Sequence, residues 1–294
     1  MSAPARDPQT PPAAPASLAH ARVLITRAPG DQAALAERLA ARGAQPVAFP
    51  CIELGPPEDP APLEAALELL LREPRAFLAA AFTSPHAVEQ LSLRLRAHGS
   101  SPSAALAAML VGGAGEGTAR ALAAEGIAAV VPASGAGAAP LAAALIERLR
   151  GEAPAAARAD AKVFLPQAAE SSPALADALR AAGYRPCAVA LYQTRPIAGL
   201  GPEHQAGLAA LRAREIDLIA FASGSAVRGF AHLLGPQSLA VASSALVVCM
   251  GESCAEVARA AGFSVAATGA SGLDALLDAA AASYAARLAG EATC

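Results

Sequence analysis

A chain of 294 residues is long enough for two domains of ordinary size, and 54% hydrophobic against 16% charged residues lets it bury sizeable cores. Only 3% of residues are aromatic and none is Trp, which argues against base-stacking platforms, while a formal net charge of −3 argues against a broad phosphate-binding surface. Nucleic acid is therefore not an expected partner.

Residues 1–20 are rich in Pro and Ala and lack an uninterrupted apolar stretch, so they read as a disordered tail rather than a secretory signal. Ordered structure is expected from Val23-Leu24-Ile25, a short strand ending at Thr26-Arg27. Pro29-Gly30-Asp31 turns into a helix carrying Leu35 and Leu39, Gly43 stops it, and Val47 to Phe49 forms a second strand. Strand, helix and strand with short connections imply parallel pairing and a right-handed crossover. The Pro-rich residues 50–62 break the pattern, and Ile52 and Leu54 read as a connector between lobes.

Helical spacing resumes at Leu63, Leu67 and Leu70, followed by the buried strand Phe77 to Phe82. That strand runs into Thr83-Ser84-Pro85, where Ser84 is placed to cap a helix that Pro85 opens. Met109 to Val111 leads into a glycine-rich turn and a helix with Leu122, stopped by Gly126, and Val130-Val131 is expected as another strand. A helix with Leu141, Leu145 and Leu149 follows, then an Ala/Pro-rich loop over residues 151–161. Val163 to Leu165, a helix with Leu175 and Leu179, a stop at Gly183 and a strand around Val189 to Leu191 complete the middle of the chain.

Much of this is said twice. Val23, Leu35, Leu39, Gly43 and Pro46 match Val163, Leu175, Leu179, Gly183 and Pro186 without a gap. Phe82, Gly115-Glu116 and Gly126 recur as Phe221, Gly251-Glu252 and Gly262, and the Ser84 turn recurs as Ser223-Gly224-Ser225. Internal duplication of this kind predicts two similar α/β lobes, each an open, mainly parallel sheet flanked by helices, facing a shared ligand. In such sheets ligands sit at the carboxyl ends of strands, where small residues expose backbone N–H groups and helix N-termini favour anions.

Chemistry-bearing clusters are absent from the pattern. Cys51, Cys187, Cys249, Cys254 and Cys294 form no CxxC, and the five histidines show no zinc-ligand spacing. An odd cysteine count points to reduced thiols in a cytosolic protein, and no stretch is long and apolar enough to predict a membrane span.

Taken in order, Val23-Leu24-Ile25-Thr26-Arg27, Phe82-Thr83-Ser84-Pro85, Gly115-Glu116-Gly117-Thr118-Ala119 and Ala190-Leu191-Tyr192-Gln193-Thr194 resemble the uroporphyrinogen-III synthase family from residue 23 to about 285. The resemblance implies two lobes, 23–50 with 195–290 and 53–190, joined by a two-stranded β-ladder with the cleft between them. It implies a cytoplasmic monomer with a mobile hinge that needs neither cofactor nor metal. The implied reaction is closure of linear hydroxymethylbilane, a polycarboxylate tetrapyrrole, with inversion of its last ring and loss of water. A non-catalytic two-lobed binder of anionic small molecules is the alternative, and a nucleotide-sugar transferase is a more distant one.

Under that resemblance Tyr192 is the candidate catalytic residue, a phenol protonated at neutral pH that can donate to a departing hydroxyl. Arg27, Thr83, Ser84, Ser223 and Ser225 are candidate carboxylate contacts. Gly115, Glu116, Gly117, Thr118, Gly224, Gly251, Ser253 and Cys254 shape the loops that would offer backbone amides. The two glutamates, Glu116 and Glu252, read as helix-dipole partners, and His86 as a residue on an exposed turn. Many family members carry a Gly- and Arg-bearing loop after the Val163 strand. Pro166-Gln167-Ala168-Ala169-Glu170-Ser171-Ser172 stands there instead, leaving Gln167 as a neutral donor.

Overall fold

Parallel strand pairing organises both halves of the chain. The structure is a computed structural model that describes residues 17–73, 75–135, 137–152, 161–270 and 272–291. The chain divides into two units, Met1–Glu53 with Arg195–Cys294, and Leu54–Thr194. It enters the first unit with β1 (Arg22–Ile25), α1 (Gln32–Ala41) and β2 (Gln45–Ala48), then crosses at β3 (Ile52–Gly55). The second unit follows as α2 (Ala61–Arg72), β4 (Phe77–Phe82), α3 (Pro85–Ala97), α4 (Pro102–Ala105), β5 (Leu110–Gly113) and α5 (Glu116–Ala124). It continues with α6 (Ala138–Glu152), β6 (Lys162–Ala168), α7 (Ala174–Ala181) and β7 (Arg185–Pro196). The chain returns through α8 (Gln205–Arg212), β8 (Leu218–Phe221), α9 (Gly224–Leu234), α10 (Ser238–Ala242) and β9 (Leu246–Met250). It ends with α11 (Glu252–Ala260), β10 (Val265–Gly269) and α12 (Leu273–Glu291).

The first sheet has the order β10-β9-β8-β1-β2, with every neighbouring pair parallel. The second has the order β3-β7-β6-β4-β5, parallel from β7 to β5. Strand for strand, β2-β1-β8-β9 and β7-β6-β4-β5 are the same arrangement. Even the register repeats: Val23 pairs with Pro46 and Ile25 with Ala48, as Val163 pairs with Pro186 and Leu165 with Ala188. The expected strand at Val130-Val131 is only a single bridge, Gly112 to Val130, where β10 stands in the first unit. Pro132, which has no amide proton to give a ladder, follows immediately.

Two apolar layers sandwich the second sheet. Leu63, Leu67, Leu91 and Leu95 pack with Phe82 and Phe164 in one, and Leu141, Leu145, Leu175 and Leu179 with Val163 and Leu165 in the other. In the first unit Leu35, Leu39, Leu276 and Leu277 cover Val23 and Ile25. Four of the seven phenylalanines cluster in this unit: Phe230 packs against Phe49, Phe221 and Phe263 with ring centroids 5.6–5.8 Å apart. Full burial of each such side chain contributes about 1.5–3 kcal/mol. Gly43, Gly126, Gly183 and Gly262 all have positive φ directly after a helix, the left-handed stop that glycine alone adopts without strain.

Two expectations in this part of the chain need correction. Leu18, placed in the disordered tail, is fully buried, and its amide bonds Arg42 O at 2.8 Å; an apolar side chain with a core to enter orders the backbone around it. Residues 1–16 lie outside the described residues, as do 153–160 of the Ala/Pro-rich loop. Ile52 and Leu54, read as a connector, form β3 beside β7, the strand pairing that the expected two-stranded ladder calls for. Finally, Pro166, Gln167 and Ala168 extend β6 instead of forming a loop. Pairing of β6 with β4 stops at Phe164, so Pro166 sits where its missing N–H interrupts no β4 bond.

Helix α9 approaches the chain at Cys51 so closely that a Cβ on Gly229 would lie 2.1 Å from Cys51 O. Gly229→Ala is expected to destabilise the first unit by about 3 kcal/mol or more, through backbone displacement. Gly30→Ala, with nothing within 4 Å of the new Cβ, should stay within about 0.5 kcal/mol. Denaturant unfolding monitored by circular dichroism distinguishes the two.

Candidate active site

Because the strands of the first sheet, and β7, β6, β4 and β5 of the second, point the same way, their carboxyl ends share one edge in each unit. In the second unit Phe82 ends opposite Gly113, and Ala168 opposite Tyr192. Thr83, Ser84, Gly115, Glu116, Gly117, Thr118, Gln167 and Tyr192 therefore belong to one edge of one sheet.

Ser84 is the N-cap of α3. Its Oγ accepts from the Ala87 amide at 3.1 Å, and Pro85 supplies the first helical residue. The same Oγ lies 3.4 Å from the Tyr192 hydroxyl. Tyr192 arrives there through an irregularity in β7: Gln167 pairs with Ala190 but Ala168 pairs with Tyr192, leaving Leu191 as an extra residue. Such a bulge re-aims the side chain that follows it and leaves one residue outside the ladder. Arg94 of α3 meets the Leu191 carbonyl, its Nη2 donating at 2.8 Å.

His86, expected on an exposed turn, is instead half-buried on the first turn of α3. Its ring stands 4.6 Å from that of Tyr192 at 81°. Nδ1 is 3.3 Å from a Glu89 carboxylate oxygen, which can only accept, so this hydrogen bond is made by the tautomer with its proton on Nδ1. Nε2 is buried without a hydrogen-bond partner. Neither His86 nor Arg94 was among the sequence candidates. The available signal was polar residues at 86, 90 and 94, a four-residue period beside the apolar Val88, Leu91 and Leu95.

Helix α5 begins beside this group. Gly115 caps it with extended backbone, φ 177°, which any residue adopts, and Glu116 stands in the first turn, where the helix dipole favours negative charge. Gly117 is exposed, and a Cβ there would reach only Pro85 Cγ at 3.6 Å. Thr118 is buried with its methyl against Gly113, a packing position rather than a surface contact.

In the first unit the matching edge holds Arg27, Ser223, Gly224, Ser225, Gly251, Ser253 and Cys254. Ser223 caps α9 by accepting from Ala226 N at 3.2 Å, repeating the Ser84 device. Gly224 serves packing, since a Cβ would meet Val257 Cγ2 at 2.9 Å. Ser225 accepts from Arg228 Nη2 at 3.3 Å. Arg27 is half-buried, ion-paired with Asp31 at 3.1 Å, and its Nε is buried without a partner. Gly251 needs its left-handed φ of 77°, unlike Gly115, and Ser253 is exposed. Glu252 pairs with Arg259.

Cys254 is 2% exposed and its thiol donates to Phe221 O at 3.5 Å, so it faces the core rather than a ligand. Its hydrogen bond with Cys249 raises the pKa of the Cys249 thiol, and burial adds to the rise. Burial likewise holds the Cys51 thiol well above its ordinary value. Neither thiol is prepared as a nucleophile. Among the described residues no group of His, Cys, Asp and Glu is placed to hold a metal ion, and no helix is long and apolar enough to cross a membrane.

Residues 33–277 match the family model described as Uroporphyrinogen-III synthase HemD. The chain belongs to that family. Uroporphyrinogen-III synthases act in porphyrin and haem biosynthesis on a small tetrapyrrole substrate, and family membership makes this chain an enzyme of that kind. Its fold is similar to the crystal structure of a mutant uroporphyrinogen III synthase from the extremely thermophilic bacterium Thermus thermophilus. There the TM-score is 0.56 at 20% identity, covering 90% of this chain and 99% of that one. It is likewise similar to the uroporphyrinogen-III synthetase of Helicobacter pylori, with a TM-score of 0.54 at 17% identity and the same coverage, 90% and 99%. No curated protein sequence matches the chain at a significant level.

The capping bonds predict a stability effect independent of chemistry. Ser84→Ala and Ser223→Ala should each lower unfolding free energy by about 1 kcal/mol, and Ser84→Asp should retain most of the stability. Urea titration of the three variants against the parent chain checks this.

Proposed function

We propose that this uroporphyrinogen-III synthase closes linear hydroxymethylbilane with inversion of its terminal pyrrole, releasing water and giving uroporphyrinogen III. The observation that carries the reading is the family match over residues 33–277, with Tyr192 held beside Ser84 at a strand-end edge. Loss of the terminal hydroxyl leaves an electrophilic azafulvenium end. Attack through a spiro intermediate then allows the last ring to reattach by its other side. The Tyr192 O–H donates to the hydroxyl as it leaves, and the proton lost from the pyrrole on rearomatisation restores the balance.

The free bilane closes unaided to the symmetrical type I isomer, so the enzyme must impose one geometry faster than that competing reaction. The eight carboxylates of the substrate supply the handles. Thr83, Ser84, Ser223 and Ser225 offer hydroxyls, Gln167 a neutral amide and Arg27 a cation. The first turns of α5 and α11, at Gly115 to Gly117 and Gly251 to Ser253, offer backbone amides aligned with a helix dipole. Thr118 and Cys254, both buried, are left as packing residues of those turns. No step in this scheme calls on a cofactor or metal.

The test is product analysis. Fresh hydroxymethylbilane incubated with the protein, oxidised and separated by chromatography should give mainly the type III porphyrin, against type I without protein. Tyr192→Phe should lower kcat by about 10²–10⁴-fold, the usual span for a positioned proton donor, with little change in KM. Type I as the sole product of the folded protein would contradict the proposal.

A further inference from the structure

Tyr192 is held from two directions by one helix. Arg94 donates to the Leu191 carbonyl at 2.8 Å, the carbonyl of the residue that the β7 bulge leaves outside the ladder. His86 sets its ring edge-to-face with the phenol at 4.6 Å and is itself tied to Glu89 at 3.3 Å. Gln90 lies between them and accepts from Arg94 Nη1 at 3.4 Å. Residues 86, 90 and 94 are four apart, so they form a single stripe along α3. The fully buried residues of this helix are Ala87, Val88, Leu91 and Leu95, with Ser92 as the one polar side chain among them. A polar stripe with a buried, unpartnered imidazole nitrogen is a costly way to pack a helix when leucines would serve.

We infer that His86, Gln90 and Arg94 are positioning residues for Tyr192: Arg94 pins the bulge that aims the side chain, Gln90 steadies Arg94, and His86 fixes the plane of the phenol. The inference rests on the role proposed for Tyr192 and adds the means by which its hydroxyl is aimed. The Tyr192 to Ser84 distance of 3.4 Å is longer than an ordinary O–H···O bond, so the phenol is not fixed by that contact alone. With the ring plane and the preceding peptide both set, the hydroxyl sweeps only a small arc. Misplacement of a reacting group by about 1 Å can cost a factor of about 10².

A double-mutant cycle tests this in the full-length protein with hydroxymethylbilane as substrate. His86→Ala and Arg94→Met should each lower kcat by about tenfold or more with KM nearly unchanged. His86→Phe, which keeps a ring edge, and Arg94→Lys, which keeps a donor, should recover most of the loss and guard against misfolding as the cause. In a Tyr192→Phe background the same substitutions should cost almost nothing further, because the hydroxyl they aim is gone. Losses that add in full to that of Tyr192→Phe would overturn the positioning role while leaving the proposed reaction intact. A Tyr192→Phe protein as active as the parent would overturn both at their shared root.

Discussion

Parallel pairing sends every strand of a sheet out at the same edge, and each returning helix must begin there with its first N–H groups unpaired. Each unit meets that constraint at one helix with the same device, a serine at the strand end whose hydroxyl accepts from the helix it starts: Ser84 toward Ala87 and Ser223 toward Ala226. The remaining unpaired amides face outward at that edge, which suits it to anionic groups without a large net charge. A formal charge of −3 is thus compatible with the polycarboxylate substrate proposed above, because oriented dipoles and hydroxyls can act locally where excess lysines would act globally.

The two units share strand order and register, but the edge residues have diverged. Under the gapless match, Arg27 corresponds to Gln167 and Tyr192 to Ile52, so the cation stands in one copy and the phenol in the other. Pro85 corresponds to Gly224, which Val257 leaves no room for a side chain. Gly115 is extended while Gly251 is left-handed, so the backbone enters α5 and α11 by different conformations.

Much of this was legible from the sequence because it rests on local rules. The apolar run Phe77 to Phe82 became β4 with the same limits, Ser84-Pro85 became a cap and first turn, and Gly43, Gly126, Gly183 and Gly262 became left-handed stops. What stayed hidden depends on contacts between distant segments. Leu18 is ordered by a core assembled from residues as far away as Tyr284. The burial of Thr118 and Cys254 follows from how their helices lie on the sheets, which local spacing does not state. The bulge at Leu191 arises from pairing with β6, and only with that bulge in place do His86 and Arg94 come to face Tyr192.

The central proposal is that the carboxyl edge of each sheet binds anionic groups of the ligand. Backbone amide spectra of isotope-labelled protein, titrated with uroporphyrinogen III under anaerobic conditions, test it most directly. Shifts should concentrate at residues 83–87, 115–119 and 192 in the second unit and at 223–226 and 251–254 in the first. Shifts confined to the opposite edges, around Asp217 and Lys162, or none at saturating product, would contradict it.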